Sequence, residues 1–374
     1  MAYILKTLSP VHIHSGEVLK SINYMVKDGR VLIFDEMDVI KAVKENELLS
    51  DELLNHFAAD NRRAEYIKTL DYFIEKGIIE SSIVEKYKTA AINKVGDLSG
   101  QDIYRTMRNI FGTYIPGSTL KGVLRTAILY DFLLNKGIDY IKEAINFLNQ
   151  RRRTPYTIDD YIIYGVEHNN SINRNIQNDP FKFLGIKDVT MQGKDIEIYE
   201  ESIYNVKNFV PGNVIEAIPE GNYSDEFEFE IRLEERLINR YNEEIISYFN
   251  EEELVRVLYQ FSKDIIEDEI KYYKALNSPL FNTREIIKKL EEIQSKNSLN
   301  SPVLRIGKGK GYKSNTVALA IKRLDRDYYL KEIRNIAKPF RYNRNYEYPK
   351  TRKFVGSPSS PKLLGFAILE KVDR

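Results

Sequence analysis

The sequence predicts an α+β protein of two units, each a sheet with helices on one face. Three observations carry that expectation. The chain has 374 residues, more than one ordinary core usually serves. Apolar residues make up 43% and charged residues 30%, a balance that supports packed cores and excludes a disordered chain. Along the chain, β-rich stretches and helical periodicity alternate: strand-rich, helical, strand-rich, helical, then strands. The expected division falls between 1–180, with a large helical insertion, and 181–374, with an acidic helical segment and a basic glycine-rich loop and tail.

Residues 23–35, NYMVKDGRVLIFD, place Asp28-Gly29 between two apolar runs, a hairpin signal. With AYILKTLSPVHI before it, this reads as a small antiparallel sheet. From 36 to 150 the pattern is mostly helical: DEMDVIKAVKEN, RRAEYIKTLDYFIEKG and GSTLKGVLRTAILYDFLLNKG carry apolar residues at helical spacing. Strands return after Arg151–Arg153, at 181–191, 195–202 and 226–233, which alternate or are β-rich. Helices are expected at 237–276 and 283–297. A glycine-rich loop, a short helix, a basic aromatic segment and the strand PKLLGFAILEKV close the chain.

The chain contains no cysteine, which excludes disulfides, thiolate zinc sites and cysteine nucleophiles. The opening MAYILKTLSPVHIHSGE lacks the basic-then-apolar layout of a signal peptide, and no apolar run approaches the ~20 residues needed to span a bilayer. A cytoplasmic protein without membrane contact is expected. The net charge of +1 conceals an uneven distribution. Residues 216–300 hold 11 cations against 20 acids, and residues 301–374 hold 18 against 6. The basic tail favours a polyanionic partner; the acidic block reads equally as a repulsive wall or as a docking surface for something basic.

Four stretches carry possible chemistry. In YIPGSTLKGVLRTAIL (114–129), Gly117, Ser118 and Thr119 precede an apolar-periodic run, and the hydroxyls suit a helix N-cap. Lys121 and Arg125 then stand four residues apart near the positive end of the helix dipole, a repulsion of ~0.2–0.5 kcal/mol. They read either as a solvated face or as ligands, with the helix-start amides, for a phosphate. In RIGKGKGYKSNT (305–316), Gly307, Gly309 and Gly311 free the backbone, Lys308, Lys310 and Lys313 add charge, and Tyr312 offers a ring for a base. The loop nearly spells a P-loop, but Tyr312 stands where the second glycine is required. The segment 338–354 interleaves six cations, Arg352 and Lys353 among them, with aromatic residues, a pattern suited to single-stranded nucleic acid. In SPVHIHSGE (9–17), His12 and His14 share one face of an expected strand, as packing groups, phosphate contacts, or an acid and base for RNA cleavage. No zinc signature, Ser/His/Asp arrangement or paired-carboxylate motif stands out, and no cofactor or metal is expected.

PVHIHSGE, YIPGSTLKGVLRTAIL and RIGKGKGYKS, in that order, resemble the signatures of the RAMP proteins of CRISPR–Cas systems, and the ending YPKTRKF…PKLLGFAIL fits the same picture. The chain looks most like the type III-A effector subunit that caps the end of the complex holding the 3′ portion of the guide RNA. The resemblance implies two ferredoxin-like (RRM-like) units with helical insertions. It also implies a non-enzymatic, antiviral role: binding crRNA, contacting the repeating backbone RAMP subunit, and supporting 3′-end trimming by host nucleases. His12, His14, Gly117 to Thr119, Lys121, Arg125, Gly307 to Lys313, Arg352 and Lys353 become the expected RNA-contacting residues. Family members often read H-I-G-S-G where this chain has His14 for the first glycine. Three alternatives stay open: a metal-independent RAMP endoribonuclease using His12 or His14, the repeating backbone subunit, and an NTP-dependent enzyme using 307–314.

Overall fold

The computed structural model describes residues 1–43, 69–86, 88–95, 102–150, 156–167, 170–205, 208–233, 241–276, 281–337 and 348–372. His56, His168, Arg151–Arg153 and most of the basic aromatic segment, 338–347, lie outside the described residues. Helices and strands mix throughout, in the α+β manner the alternating patterns predict.

The described strands form two sheets, one of nine and one of eight. The first sheet joins the ends of the chain. Its opening strand, Ala2–Thr7, runs antiparallel to the closing strand, Phe366–Lys371, from Tyr3↔Lys371 to Thr7↔Ala367. Val303–Arg305 extends it beyond the closing strand, and Val189–Gln192, Gly112–Ile115, Tyr223–Ser224 and Phe227–Ile231 build the other side. Both sheets draw strands from either side of residue 180, so strand pairing does not itself mark a boundary there.

Apolar side chains of the long helix Gly117–Gln150 and of the acidic helix Glu251–Ala275 pack on this sheet. Leu120, Leu124, Ile128, Leu258 and Phe261 meet Leu5, Leu304 and Leu369 in one core. Each such large side chain contributes about 1.5–3 kcal/mol on leaving water. The run expected to end at 137 does break there, because Gly137 takes φ 80°; a second helical stretch then continues to Gln150.

In the second sheet, Tyr24–Lys27 and Arg30–Phe34 form the expected hairpin, with Asp28 (φ 50°) and Gly29 (φ 72°) both left-handed as a primed turn requires. Two expectations need correction. The described part of 36–150 is mostly helical as expected, but it also holds strands that were not expected: Lys88–Val95, Ile103–Thr106 and Gly112–Ile115. Lys88–Val95 is held by pairing on both sides, antiparallel to Arg30–Phe34 and parallel to Glu197–Tyr199, which overrides its weak intrinsic preference. Asn208–Ala217, which was not among the expected strands, is a ten-residue strand antiparallel to Glu197–Asn205, and the register shifts between Glu200 and Ser202. No described helix is long and apolar enough to cross a membrane.

Part of the acidic block and part of the basic tail are each other's partners. Asp264 accepts from Arg323 and, at 2.7 Å, from the Tyr130 hydroxyl. Asp268 bridges Lys313 and Lys322, and Glu269 pairs with Arg352 at 3.1 Å. Burial alone would raise the carboxyl pKa of Asp268, but Lys313 and Lys322 outweigh it and hold the group below its ordinary range. Glu269 is lowered against the same burial, by Arg352 and then Arg305. Four of the cations that suggested an external polyanion are neutralised within the fold.

Candidate nucleic-acid interface

The loop after Val303–Arg305 is stitched to the turn before His14. The Ile306 N–H donates to the Gly365 carbonyl at 2.7 Å and the Lys308 N–H to the His12 carbonyl at 2.8 Å. Gly307 has φ 65°, and a Cβ there would lie 2.3 Å from the His12 carbonyl oxygen. A Cβ on Gly309 (φ 85°) would meet Leu364 at 2.8 Å, whereas Gly311 (φ 76°) faces open space. Two of the three glycines therefore serve close packing within the protein rather than approach to a ligand. What the packing gains is placement: it sets Lys308 over the second sheet.

There the Lys308 ammonium lies 3.4 Å from the Glu201 carboxylate and 5.3 Å from the centroid of the Tyr104 ring. Lys353, on the strand Thr351–Val355, reaches the same carboxylate at 3.2 Å. Glu201 is only 1% exposed, while its two cations keep access to solvent. The exposed His14 ring sits 5.3 Å from Tyr104 and stacks at 5.9 Å on the buried His12 ring. His12 Nδ1 lies 2.6 Å from the Glu216 carbonyl oxygen. A carbonyl only accepts, so Nδ1 carries the proton and the buried Nε2 keeps a lone pair. Burial lowers the His12 pKa to about 4, offset in part by that backbone bond, while Lys308 and His14 push it further down. The Glu216 carboxylate, fully buried, accepts from the Thr106 N–H at 3.0 Å and from Arg108, with Arg105 at 3.7 Å. Cations and rings from four separated segments thus share one face of the sheet.

The start of the long helix is a second cluster. The Gly117 N–H donates to Asp188 at 2.8 Å, so the cap is an aspartate from elsewhere, not Ser118 or Thr119. Ser118 is exposed and Thr119 half-buried. Arg125 pairs with Asp179 at 2.7 Å and lies 4.8 Å from the Phe181 ring centroid. Burial lowers the Lys121 pKa; Asp179 opposes this and Arg125 adds to it. The two cations four residues apart are tolerated because the protein brings its own carboxylates, Asp179 and Asp188, to the positive end of the helix.

Two expected RNA contacts are corrected outright. Lys313 is 4% exposed on Asp268, and Arg352 is 6% exposed on Glu269 with its guanidinium 4.0 Å from the Tyr272 ring centroid. Both are interior cations fixed by interior acids. Tyr312 is half-buried and packs edge-on against Tyr348 at 5.4 Å. Lys310 is half-buried, and its pKa is lowered by burial and then by Arg305. A P-loop lysine must reach a terminal phosphate, and the interior Lys313 is turned to Asp268 instead. Among the described residues no group of three or more His, Cys, Asp or Glu is placed to hold a metal.

A model of the RAMP superfamily matches residues 4–312. The chain belongs to the RAMP superfamily. It is 25% identical over 352 residues to the CRISPR system Cms protein Csm5 of Methanocaldococcus jannaschii, covering 88% of this chain and 76% of that protein. It is similar in fold to a chain in the cryo-EM structure of a Csm–crRNA–target RNA ternary complex of a type III-A CRISPR-Cas system. That likeness has a TM-score of 0.70 at 21% identity, covering 99% of this chain and all of the other. The crystal structure of T. onnurineus Csm5 is similar at a TM-score of 0.64 and 19% identity, covering 98% and 99% of the two chains.

In this RAMP protein the expected residues His12, His14, Lys308 and Lys353 come together. Gly117 and Arg125 take their partners from Asp188 and Asp179 instead, and Lys121 feels the Asp179 charge. Sequence reasoning missed Tyr104, Arg105, Arg108, Glu201 and Glu216. The run IYRTMRN (103–109) held the signal, since it interleaves an aromatic residue with arginines. Nothing local marks Glu201, which sits in an acidic pair resembling a solvated one.

Proposed function

We propose that this RAMP protein is a non-catalytic crRNA-binding subunit of a type III-A effector complex. It holds the 3′ portion of the guide, caps that end of the assembly beside the repeating backbone subunit, and supports 3′-end maturation by host nucleases. Its two sheets then correspond to two ferredoxin-like units carrying helical insertions. The observation that carries the reading is the His14–Tyr104–Lys308–Lys353 face, in a chain similar to a Csm5 protein over most of its length. Ammonium groups match phosphates, and the Tyr104 and His14 rings suit unpaired bases. A catalytic reading is weaker chemically. The His12 imidazole has a pKa of about 4, its one proton at neutral pH is on Nδ1 and engaged by the Glu216 carbonyl, and its Nε2 is buried away from any substrate.

Purification of the tagged protein from its cell, with sequencing of bound RNA and identification of bound proteins, tests this reading. Guide RNAs and type III-A subunits are expected. The exposed His14 gives the endoribonuclease reading its one foothold. Repeat RNA incubated with the purified chain should stay intact; cleavage abolished by His14→Ala would replace the proposal with that enzyme.

A further inference from the structure

Glu201 is an unexpected residue to find on this surface. Its carboxylate is almost wholly buried, yet it lies beneath a face whose chemistry favours an anion. The local fold is built to admit it: the register shift falls between Glu200 and Ser202, and the residue beside it across the strands is Gly212. A Cβ on Gly212 would stand 2.8 Å from the Glu201 carbonyl oxygen and 2.9 Å from its Cβ and Cγ. The two ammonium groups on the carboxylate come from different elements, Lys308 from the glycine loop and Lys353 from the strand Thr351–Val355. Both ammonium groups reach Oε2, Lys308 at 3.4 Å and Lys353 at 3.3 Å, and Lys353 also lies 3.2 Å from Oε1.

We propose that Glu201 is a positioning residue for the RNA face, its buried carboxylate holding Lys308 and Lys353 side by side as a two-cation clamp for a phosphodiester. This rests on the RNA-binding reading above. Two ammonium groups this close repel each other and gain by shedding a proton; one carboxylate between them removes that incentive and fixes their spacing. The clamp keeps a net positive charge for the ligand, which a one-to-one ion pair would not. The groups facing Lys308 fit this role. Glu201 and Lys353 lie on two strands, the Tyr104 ring on a third, and neutral His12 and exposed His14 on the turn beneath the loop. Burial lowers the Lys308 pKa, Glu201 raises it, and Lys353 lowers it again.

The test follows the titration of Lys308 and, separately, RNA affinity across pH. Lysines of the full chain are labelled by reductive ¹³C-methylation, and the Lys308 signal is assigned by its loss in Lys308→Arg. In Glu201→Gln the Lys308 midpoint should fall by about one unit, while Glu201→Asp restores most of it. Lys353→Met, a change at a half-exposed side chain, should move the midpoint the other way, so the proposal is tested even where Glu201→Gln folds poorly. Binding of a single-stranded RNA should be nearly flat between about pH 7 and pH 9 in the parent chain and weaken about two- to fourfold over that range in Glu201→Gln. An unmoved Lys308 midpoint in both Glu201→Gln and Lys353→Met overturns the clamp while leaving RNA binding intact. Shifted midpoints in a parent chain that binds no RNA at any pH overturn the RNA reading instead.

Discussion

Gly117 shows how much one missing side chain can decide. A Cβ at this position would lie 1.9 Å from the Ile186 carbonyl oxygen, a backbone atom that cannot turn away. Gly117→Ala should cost about 3 kcal/mol in chemical denaturation, at the upper end for overpacking. Gly122, five residues on in the same helix, meets nothing within 4 Å, so Gly122→Ala should gain up to about 1 kcal/mol. The glycine at 117 was legible from sequence as part of a turn; its reason, contact with a strand some seventy residues away, was not. His12 makes a pH prediction. Its folded pKa of about 4 lies below the ordinary value of 6.5, so the unfolded chain binds the extra proton between those values. Stability from this group is complete above pH 6.5 and is lost as pH falls toward 4, by about 3 kcal/mol in all. His12→Asn, which keeps a donor for the Glu216 carbonyl, should flatten the stability profile in that window.

Between elements, the acidic helix Glu251–Ala275 acts as counter-charge for the C-terminal section. Asp268→Asn would leave Lys313 buried without its anion, and a loss of about 3–5 kcal/mol is expected. Adding Lys313→Met should recover much of it, because a buried pair replaced by apolar and neutral groups costs less than a pair half removed. Denaturant midpoints of the single and double variants decide this. A double variant no more stable than the single one would mean the helix packs there without help from charge. The sequence made both partners visible, as a block with 20 acids and a tail with 18 cations, but not that they meet. Composition carries no information about which charges face each other. The hairpin at Asp28-Gly29 was readable because backbone conformation there is set locally. Lys88–Val95 was not, because neighbouring strands supply its pairing.

For the whole molecule, internal neutralisation changes which cations are left to bind RNA. Four of the basic tail's cations are committed: Lys313, Lys322, Arg323 and Arg352 all have interior or seam acids. Lys308 and Lys353 also share a single carboxylate, but they remain accessible beside an aromatic ring. Sequence motifs pointed to the loop and the ending that supply Lys308 and Lys353 to this face, because glycine–lysine alternation and basic aromatic runs are local features. The face itself is assembled from His14, Tyr104, Lys308 and Lys353, which only the sheet brings together. The most direct test is salt-titrated binding of single-stranded RNA by the parent chain and by Lys308→Ala/Lys353→Ala, with unchanged folding checked by denaturation. Weaker binding and a log–log salt slope shallower by up to ~1.4, two single-strand phosphate contacts, are predicted. The same affinity and slope in the double variant would contradict the assignment of this face to RNA.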